Sequence, residues 1–284
     1  YLADVDINTG QMTPSNIIDC CNKFKIKKAK AIITMYNGGY PWNADQFKKL
    51  KKKLRCFIIE DSCHAFGAQY KYKNSFVKIG SCLHSDISTF SFHPLKTITT
   101  GEGGLVTTNS KYLDKRIKMF RSLGIKRSKD KHWDYDVIVN GFNFRMNDFQ
   151  CALGLTQLSK IHKFLNRRKQ IALKYEKKLK EIKSISIPDN SSTLKPSFHL
   201  YLVNFKKTNF TKKEKLFRFM KKNGVMLQYH YIPLYKFQNF KGKYISKNAE
   251  IYYKTTFSLP IFYQLSNKNQ NYIIKLLREF FFKN

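Results

Sequence analysis

Cysteine patterns that hold metal ions or redox disulfides are absent from this sequence of 284 residues. The six cysteines form no CxxC pair and no spacing that is typical of a metal site. We therefore expect a protein that binds no metal.

Long apolar runs are missing as well. No stretch approaches the ~20 residues that a helix needs to cross a bilayer, and no secretory signal opens the chain. We expect a cytoplasmic protein without a membrane partner.

Acidic residues are scarce, because 19 Asp and Glu stand against 53 Lys and Arg, which gives a formal net charge of +34. Such a charge could serve nucleic-acid or polyanion binding through counterion release. The basic residues are spread along the chain, however, and alternate with apolar ones at helical spacings, as on solvated helix faces. We expect no nucleic-acid partner.

Hydrophobic residues make up 42% of the sequence, which is enough for a substantial core. Predicted strands and helices alternate, as in an α/β sheet with a smaller α+β appendage. The predicted strands span 29–36, 55–59, 86–92, 105–108, 198–205 and 225–230; the helices span 43–54, 62 onward, 110–123, 148–160, 161–182, 212–223 and 267–282; a loop is predicted at 188–196. The long helix at 161–182 would join a large domain, 1–165, to a small one, 166–284.

One lysine, Lys96, stands out from the basic background by its surroundings. It lies between the predicted strand at 86–92 and a glycine-rich turn at 101–104. A turn of this kind can desolvate and aim the amine, and a lysine that forms a Schiff base needs a free amine near neutral pH.

A second polar group follows the predicted buried strand at 55–59. Glu60, Asp61 and His64 come at its C-terminal end, where open α/β sheets bind ligands. Asp61 could keep a pyridine nitrogen protonated, and His64 could lie flat against the ring. The commoner use of such residues stays open: Asp61 would cap a helix from Ser62, and His64 would be a packing residue. Cys63 is expected to pack as a small buried side chain.

Four blocks in this order resemble the DegT/StrS family of pyridoxal-phosphate sugar aminotransferases. Each block is weak alone, but the ordered set is specific and covers nearly all of the chain. The last two blocks, with Ser258-Leu259-Pro260, are most similar to the branch that works in pseudaminic acid biosynthesis. The blocks are Glu60-Asp61-x-x-His64-Ala65-x-Gly67, Ser91-Phe92-His93-x-x-Lys96 with Gly101-Glu102-Gly103-Gly104, residues 141–154, and residues 228–233.

The resemblance implies the aspartate aminotransferase-like fold (fold type I): a mixed, mostly parallel sheet in a large domain and a small α+β C-terminal domain. It also implies pyridoxal 5′-phosphate as cofactor. In that case Lys96 holds the cofactor covalently and moves protons, Asp61 faces the ring nitrogen, His64 stacks on the ring, and Ser91 donates to the phosphate.

The same resemblance places Asn143 at the cofactor phosphate of a neighbouring subunit, which implies a homodimer. It makes Arg145, His230 and Tyr231 candidates for binding the sugar nucleotide. The residues alone leave alternatives: an exposed turn at Asn143, an ion pair of Arg145 with a nearby aspartate, and a half-buried aromatic strand at 230–231. His93 is expected to pack rather than react.

The implied reaction moves an amino group from L-glutamate to the keto group of a nucleotide-linked 4-keto-6-deoxy sugar, such as a UDP-sugar, for a cell-surface or flagellar glycan. Dehydratase relatives carry histidine in place of this lysine, so Lys96 favours an aminotransferase.

The sequence opens at Tyr1 in what resembles a mid-domain strand of the family. We therefore expect roughly the first quarter of a full-length relative to be absent, with its phosphate-binding turn. Two other hypotheses stay open: a truncated, inactive homologue or regulator that still binds the cofactor, and a basic polyanion-binding protein.

Overall fold

The structure is a computed structural model that describes residues 1–188, 191–207 and 210–283. Helices and strands alternate through most of it. The helices are α1 (Pro14–Lys23), α2 (Phe47–Leu54), α3 (Lys111–Arg121), α4 (Asp148–Leu158), α5 (Ile161–Leu179), α6 (Phe210–Lys222), α7 (Lys247–Thr255) and α8 (Asn267–Lys283). The strands are β1 (Ala31–Met35), β2 (Phe57–Asp61), β3 (Gln69–Tyr72), β4 (Ser75–Lys78), β5 (Ile87–Ser91), β6 (Gly104–Thr107), β7 (Ile125–Arg127), β8 (Tyr135–Val137), β9 (Ile185–Ser186), β10 (Leu194–Lys195), β11 (Tyr201–Phe205) and β12 (Thr256–Leu259).

A four-stranded sheet in the order β1-β2-β5-β6 organises the first part of the chain. β1 and β2 are parallel, β2 and β5 are parallel, and β5 and β6 are antiparallel. The mixed, mostly parallel sheet that we predicted is therefore confirmed. Asp61 pairs in register with Thr89, so the last residue of β2 lies beside the end of β5. This edge is where parallel sheets bind ligands.

A second sheet, in the order β12-β11-β9, belongs to the largest hydrophobic core. The inner face of α5 packs in this core through Ile171, Tyr175 and Leu179, each no more than 1% exposed. The alternation of apolar positions at three- and four-residue steps explains why this face of α5 is buried. The predicted domain boundary at 165/166 falls inside α5 and stays a prediction.

The helix predicted from Ser62 is wrong. Residues 62–68 form successive tight turns, in which the Ala65 N–H donates to the Ser62 carbonyl at 2.8 Å and the Ala68 N–H to the Ala65 carbonyl at 2.9 Å. Gly67 has φ of +84°, which interrupts helical geometry. The segment therefore turns directly into the β3–β4 hairpin.

Two further local predictions differ from the structure. The strand predicted at 225–230 is reduced to one bridge between Gln228 and Ser258, because the N–H and the hydroxyl of Ser258 both donate to the same Gln228 carbonyl. The loop predicted at 188–196 contains β10, which pairs with β3, and its residues 189–190 lie outside the described residues.

Helices α3 and α4 contribute no buried residue to the described chain. Large apolar side chains on them are open to solvent, with Phe149 88% exposed, Leu155 70% and Tyr112 69%. Exposed apolar side chains that adjoin one another are typical of an interaction surface.

In the part of the chain that the structure describes, no helix combines the length and apolar character needed to span a bilayer. The same residues contain no group of three or more side chains suited to hold a metal ion.

Candidate active site

The lysine turn begins where β5 ends at Ser91. His93 builds this turn, because its Nδ1 accepts from the Leu95 N–H at 3.2 Å and its carbonyl accepts from the Lys96 N–H at 2.9 Å. Ser91 Oγ accepts from the His93 N–H at 3.3 Å, which leaves the hydroxyl proton of Ser91 for another acceptor. His93 thus takes part in the turn, but its side chain is 45% exposed rather than packed, and its lack of reactivity stays a prediction.

The glycine-rich turn then folds back onto the backbone of Phe92. The Phe92 N–H donates to the Gly103 carbonyl at 2.9 Å, and the Thr100 N–H donates to the Phe92 carbonyl at 3.0 Å. A Cβ on Gly103, whose φ is +156°, would lie 2.4 Å from Thr100 Oγ1. Glycine is therefore required where residue 103 approaches Thr100 in the turn that follows Lys96.

Asp61 does not cap a helix. As the last residue of β2 it accepts from the Cys63 N–H at 3.1 Å, within a turn, and its side chain is half-buried. The commoner alternative, a helix cap, is therefore wrong for this carboxylate. The remaining alternative, a carboxylate presented at the ligand-binding edge of the sheet, fits its position.

Asp61 and Lys96 shift the pKa of one thiol, that of Cys63, in opposite senses. Burial, followed by the hydrogen bond and the charge of Asp61, raises the pKa of Cys63 to about 12, while the charge of Lys96 opposes that rise. A thiol with this pKa is a poor nucleophile, which supports a packing role. The amine and the carboxylate that the sequence singled out therefore both lie near enough to this thiol for their charges to act on its pKa.

His64 is 2% exposed and lies near enough to Lys96 for the charge of the amine to act on its pKa. Its Nδ1 accepts from the Gly38 N–H at 3.3 Å, and its Nε2 lies 3.0 Å from the Tyr231 hydroxyl. Burial lowers the pKa of His64 to about 3, and the charges of Lys96 and His230 add to the shift. The imidazole is therefore neutral at physiological pH.

His230 and Tyr231 come to the same place from the opposite end of the chain. His230 Nδ1 lies 2.8 Å from Ser258 Oγ, and the peptide bond between His230 and Tyr231 is cis. Burial lowers the pKa of His230 to about 4, with a further contribution from Lys96. Burial, then the charge of Asp61, raises the pKa of Tyr231 to about 12. Five residues that the sequence predicted for one site are thus gathered in one cluster: Asp61, His64, Lys96, His230 and Tyr231.

Sequence reasoning missed His199, which belongs to the cluster. Its ring centroid lies 4.2 Å from that of His64, and burial with the charges of His64, Arg168 and Lys96 lowers its pKa. The signal was a single polar residue in the apolar run at 198–203, and such a residue is buried only where packing provides for it.

Arg168 of α5 binds the backbone on either side of His199 and so holds this segment beside His64. Its Nη1 donates to the carbonyls of Phe198, His199 and Ile261 at 3.1, 3.2 and 3.0 Å. The arginine is 6% exposed, and the two protons of its Nη1 are shared among these three carbonyls.

Asn143 and Arg145 are exposed, and among the described residues neither side chain forms a hydrogen bond or an ion pair with this cluster. Asn143 forms a bridge with Ser122, and the flanking Phe142 and Phe144 rings stack on each other with centroids 4.8 Å apart. The structure therefore brings neither residue to the lysine of its own chain.

Comparison with known proteins decides the family. A model of the DegT/DnrJ/EryC1/StrS aminotransferase family matches residues 1–278. The chain belongs to this family. The resemblance drawn from the four sequence blocks is confirmed.

Similar proteins include two curated proteins and one solved structure. The chain is 37% identical over 246 residues to "UDP-4-amino-4,6-dideoxy-N-acetyl-beta-L-altrosamine transaminase" of Campylobacter jejuni subsp. jejuni serotype O:23/36 (strain 81-176), covering 86% of this chain and 63% of the relative. It is 34% identical over 281 residues to GDP-perosamine synthase of Escherichia coli O157:H7, covering 98% of this chain and 72% of the relative. The structure of PseC from Helicobacter pylori, described as an aminotransferase involved in the biosynthesis of pseudoaminic acid, superposes with a TM-score of 0.88 at 30% identity, over 100% of this chain and 74% of that one.

These comparisons confirm the aspartate aminotransferase-like fold of the family. The chain spans less than two thirds of the length of the first curated relatives that it matches, 63% and 60%.

Proposed function

We propose that this family member is an aminotransferase that uses pyridoxal 5′-phosphate to move an amino group from L-glutamate to the keto group of a nucleotide-linked 4-keto-6-deoxy sugar. The observation that carries the proposal is the meeting of two strand ends: Asp61 ends β2 and pairs in register with Thr89 of β5, and the turn that holds Lys96 follows β5. A carboxylate and an amine at the same edge of the sheet suit a pyridine ring that carries an aldehyde.

The groups present at this edge fit that cofactor. The amine of Lys96 would bind it covalently, Asp61 would hold its ring nitrogen protonated, and the free hydroxyl proton of Ser91 would go to its phosphate. The His64 ring would lie against its face. When bound, the cofactor supplies the electron sink of the reaction.

Once freed, the amine of Lys96 would act as general base and acid. It is half-buried at the end of a rigid turn, so it can carry a proton between nearby carbon atoms without a large movement. The cluster around it adds no competing acid, because His64 and His230 both have strongly lowered pKa values.

The sugar substrate is proposed to be a UDP-sugar of the pseudaminic acid type. The name of the Campylobacter jejuni relative supports this choice, as does the similarity to the Helicobacter pylori structure. His230 and Tyr231 would contact the sugar. The similarity to GDP-perosamine synthase makes a GDP-linked sugar the second candidate, and the two nucleotides can be compared directly.

A homodimer would complete the site. The exposed apolar surface of α3 and α4 would be covered by a second copy, and Asn143 and Arg145 would then reach the partner's cofactor phosphate and sugar nucleotide. The division into domains 1–165 and 166–284 and a cytoplasmic location are part of the same proposal.

Covalent attachment of the cofactor tests the proposal. After borohydride reduction, mass spectrometry should find pyridoxyl phosphate on the peptide with Lys96, and the Lys96→Ala variant should lose it. Lys53→Ala removes an exposed lysine of α2 and should keep the label. The wild-type protein should transfer nitrogen from glutamate to a UDP-linked 4-keto sugar faster than to a GDP-linked one.

The other hypotheses give different results. A label without turnover of either keto sugar indicates an inactive homologue. Absence of any label, together with binding to polyanions that falls steeply with salt, indicates the polyanion-binding protein. Turnover of the keto sugar by Lys96→Ala would show that the mechanism is wrong.

A further inference from the structure

The hydrogen-bond direction between His64 and Tyr231 is fixed by the backbone. The Gly38 N–H can only donate, so His64 Nδ1 must be its acceptor and carries no proton. In the neutral imidazole the proton then sits on Nε2, which faces the Tyr231 oxygen at 3.0 Å. Tyr231 therefore accepts from His64, and its own hydroxyl proton points elsewhere.

The surroundings of His64 hold this direction in place. Its carbonyl accepts from Ser197 Oγ at 2.5 Å, and its ring packs on His199 at 4.2 Å. A ring flip would leave the buried Gly38 N–H without its partner, which is costly. With His64 neutral at working pH, no second imidazole proton is available to change the pattern.

The proton of Tyr231 is free for a ligand. Within residues 1–188, 191–207 and 210–283, its hydroxyl makes no hydrogen bond other than that to His64. The side chain is 50% exposed and lies near enough to Asp61 for the charge of that carboxylate to act on its pKa. A phenol whose pKa is raised to about 12 keeps its proton at physiological pH.

We propose that the Tyr231 hydroxyl, which accepts from His64, donates its own proton to the sugar. It would recognise an acceptor oxygen at the reacting carbon. This inference rests on the proposed function and extends it. A keto oxygen can only accept, and it matches such a donor. The amino group that replaces it is an ammonium near neutral pH and can only donate, so it does not match. Tyr231 would favour the keto substrate over the amino product.

The inference makes His64 a positioning residue as well as a candidate for ring stacking. Stacking alone would affect all sugar ligands through the cofactor. Orientation of Tyr231 affects only ligands with an oxygen at that carbon, and this difference can be measured.

Two inert analogues test the inference about Tyr231. Their binding to the full chain with its cofactor bound is measured by calorimetry. One UDP-sugar carries a hydroxyl at the carbon that bears the keto group, and the other is deoxy at that carbon. The wild-type protein should bind the hydroxyl analogue about tenfold more tightly, which is the effect of one good hydrogen bond. Tyr231→Phe should abolish the difference, and Tyr229→Phe, which removes a hydroxyl two residues earlier, should keep it.

A double-mutant cycle tests the part played by His64. His64→Asn should reduce the difference in affinity between the two analogues. The double variant with Tyr231→Phe should show no further reduction of that difference. In steady-state kinetics, Tyr231→Phe should raise KM for the keto sugar more than the inhibition constant of the amino product.

The two proposals fail in distinguishable ways. A wild-type protein that transfers nitrogen to the keto sugar but binds both analogues equally would overturn the inference about Tyr231 alone. If His64→Asn weakened the binding of both analogues equally, His64 would have only its stacking role and its positioning role would be overturned. A wild-type protein that turns over no keto sugar would overturn the proposed function.

Discussion

The ammonium of Lys213 lies 4.1 Å from the centroid of the Tyr229 ring. Tyr229 comes directly before His230 and Tyr231 in the sequence. Lys213 is fully buried, donates to the Tyr253 carbonyl and lies 5.2 Å from the Tyr253 ring centroid. A cation over aromatic rings in a desolvated site is stabilising. This contact joins α6 to the segment that carries two of the candidate site residues.

Replacing Lys213 by Met should change how stability depends on pH. Burial lowers the pKa of Lys213 from 10.5 to about 7, so between these values the unfolded chain binds more protons than the folded one. The free energy of unfolding should therefore rise from pH 7 to pH 10 in the wild type and rise less in Lys213→Met. Urea unfolding at several pH values measures it.

Lys215→Met is the matched control, since Lys215 is exposed on the same helix. It should keep the pH profile of the wild type. Parallel profiles for Lys213→Met and the wild type would contradict a lowered pKa at Lys213.

Gly39 should tolerate no side chain. A Cβ there would lie 2.0 Å from Ser197 Oγ and 2.5 Å from the His64 carbonyl, at φ of +85°. Gly39→Ala should destabilise the protein by about 3 kcal/mol, as overpacking and backbone strain add, and should disturb the His64–Tyr231 hydrogen bond. Thermal unfolding and binding of the sugar analogues measure the two effects.

Gly224→Ala separates strain from crowding. Gly224 has a similar φ of +73°, but its Cβ would meet nothing within 4 Å. This variant should lower the free energy of unfolding by about 1 kcal/mol, from backbone strain alone. An equal decrease in the free energy of unfolding in both variants would contradict the packing argument at Gly39.

Asp61→Asn should lower kcat on the order of a hundredfold or more, since it removes the charge proposed to hold the cofactor nitrogen protonated. The fold should remain, because Asp61 is half-buried and its bond to the Cys63 N–H can be kept by an amide oxygen. Transamination rates and the absorption spectrum of the bound cofactor give the result.

The neighbouring carboxyl provides the contrast. Glu60 is buried, accepts from the hydroxyls of Tyr36 and Ser88, and has a raised pKa because of burial. Glu60→Gln should leave the cofactor spectrum unchanged. It should also reduce the loss of stability that the wild type shows as pH rises above 4.5, the ordinary value for this carboxyl. A larger spectral change in Glu60→Gln than in Asp61→Asn would show that the roles are reversed.

The sequence could predict Asp61 and Lys96 as partners because both follow strands of one parallel pair. Strand ends of this kind meet at one edge, so the distance along the chain does not matter. The strands themselves were predictable from apolar, β-branched runs, and β1, β2 and β5 lie close to where we expected them. The helix expected after Ser62 failed because local capping patterns do not reveal the turns that lead into β3.

His199 could not be predicted in the same way. It reaches His64 only because Arg168 binds the carbonyls beside it and because Ser197 bonds the His64 carbonyl across a separation of 133 residues. No local pattern encodes such a contact. The exposure of α3 and α4 is another feature that the predicted helices at 110–123 and 148–160 did not reveal, since helix patterns do not show what a helix packs against.

The order of the motifs along the sequence by itself determined the family, the type of sheet and the lysine and carboxylate proposed for the chemistry. Those features depend on short segments and on the ends of neighbouring strands. Only the tertiary structure decided that Tyr231 meets His64 and which of the two donates. That direction follows from one backbone N–H, that of Gly38, and a backbone group leaves no trace in the pattern of side chains.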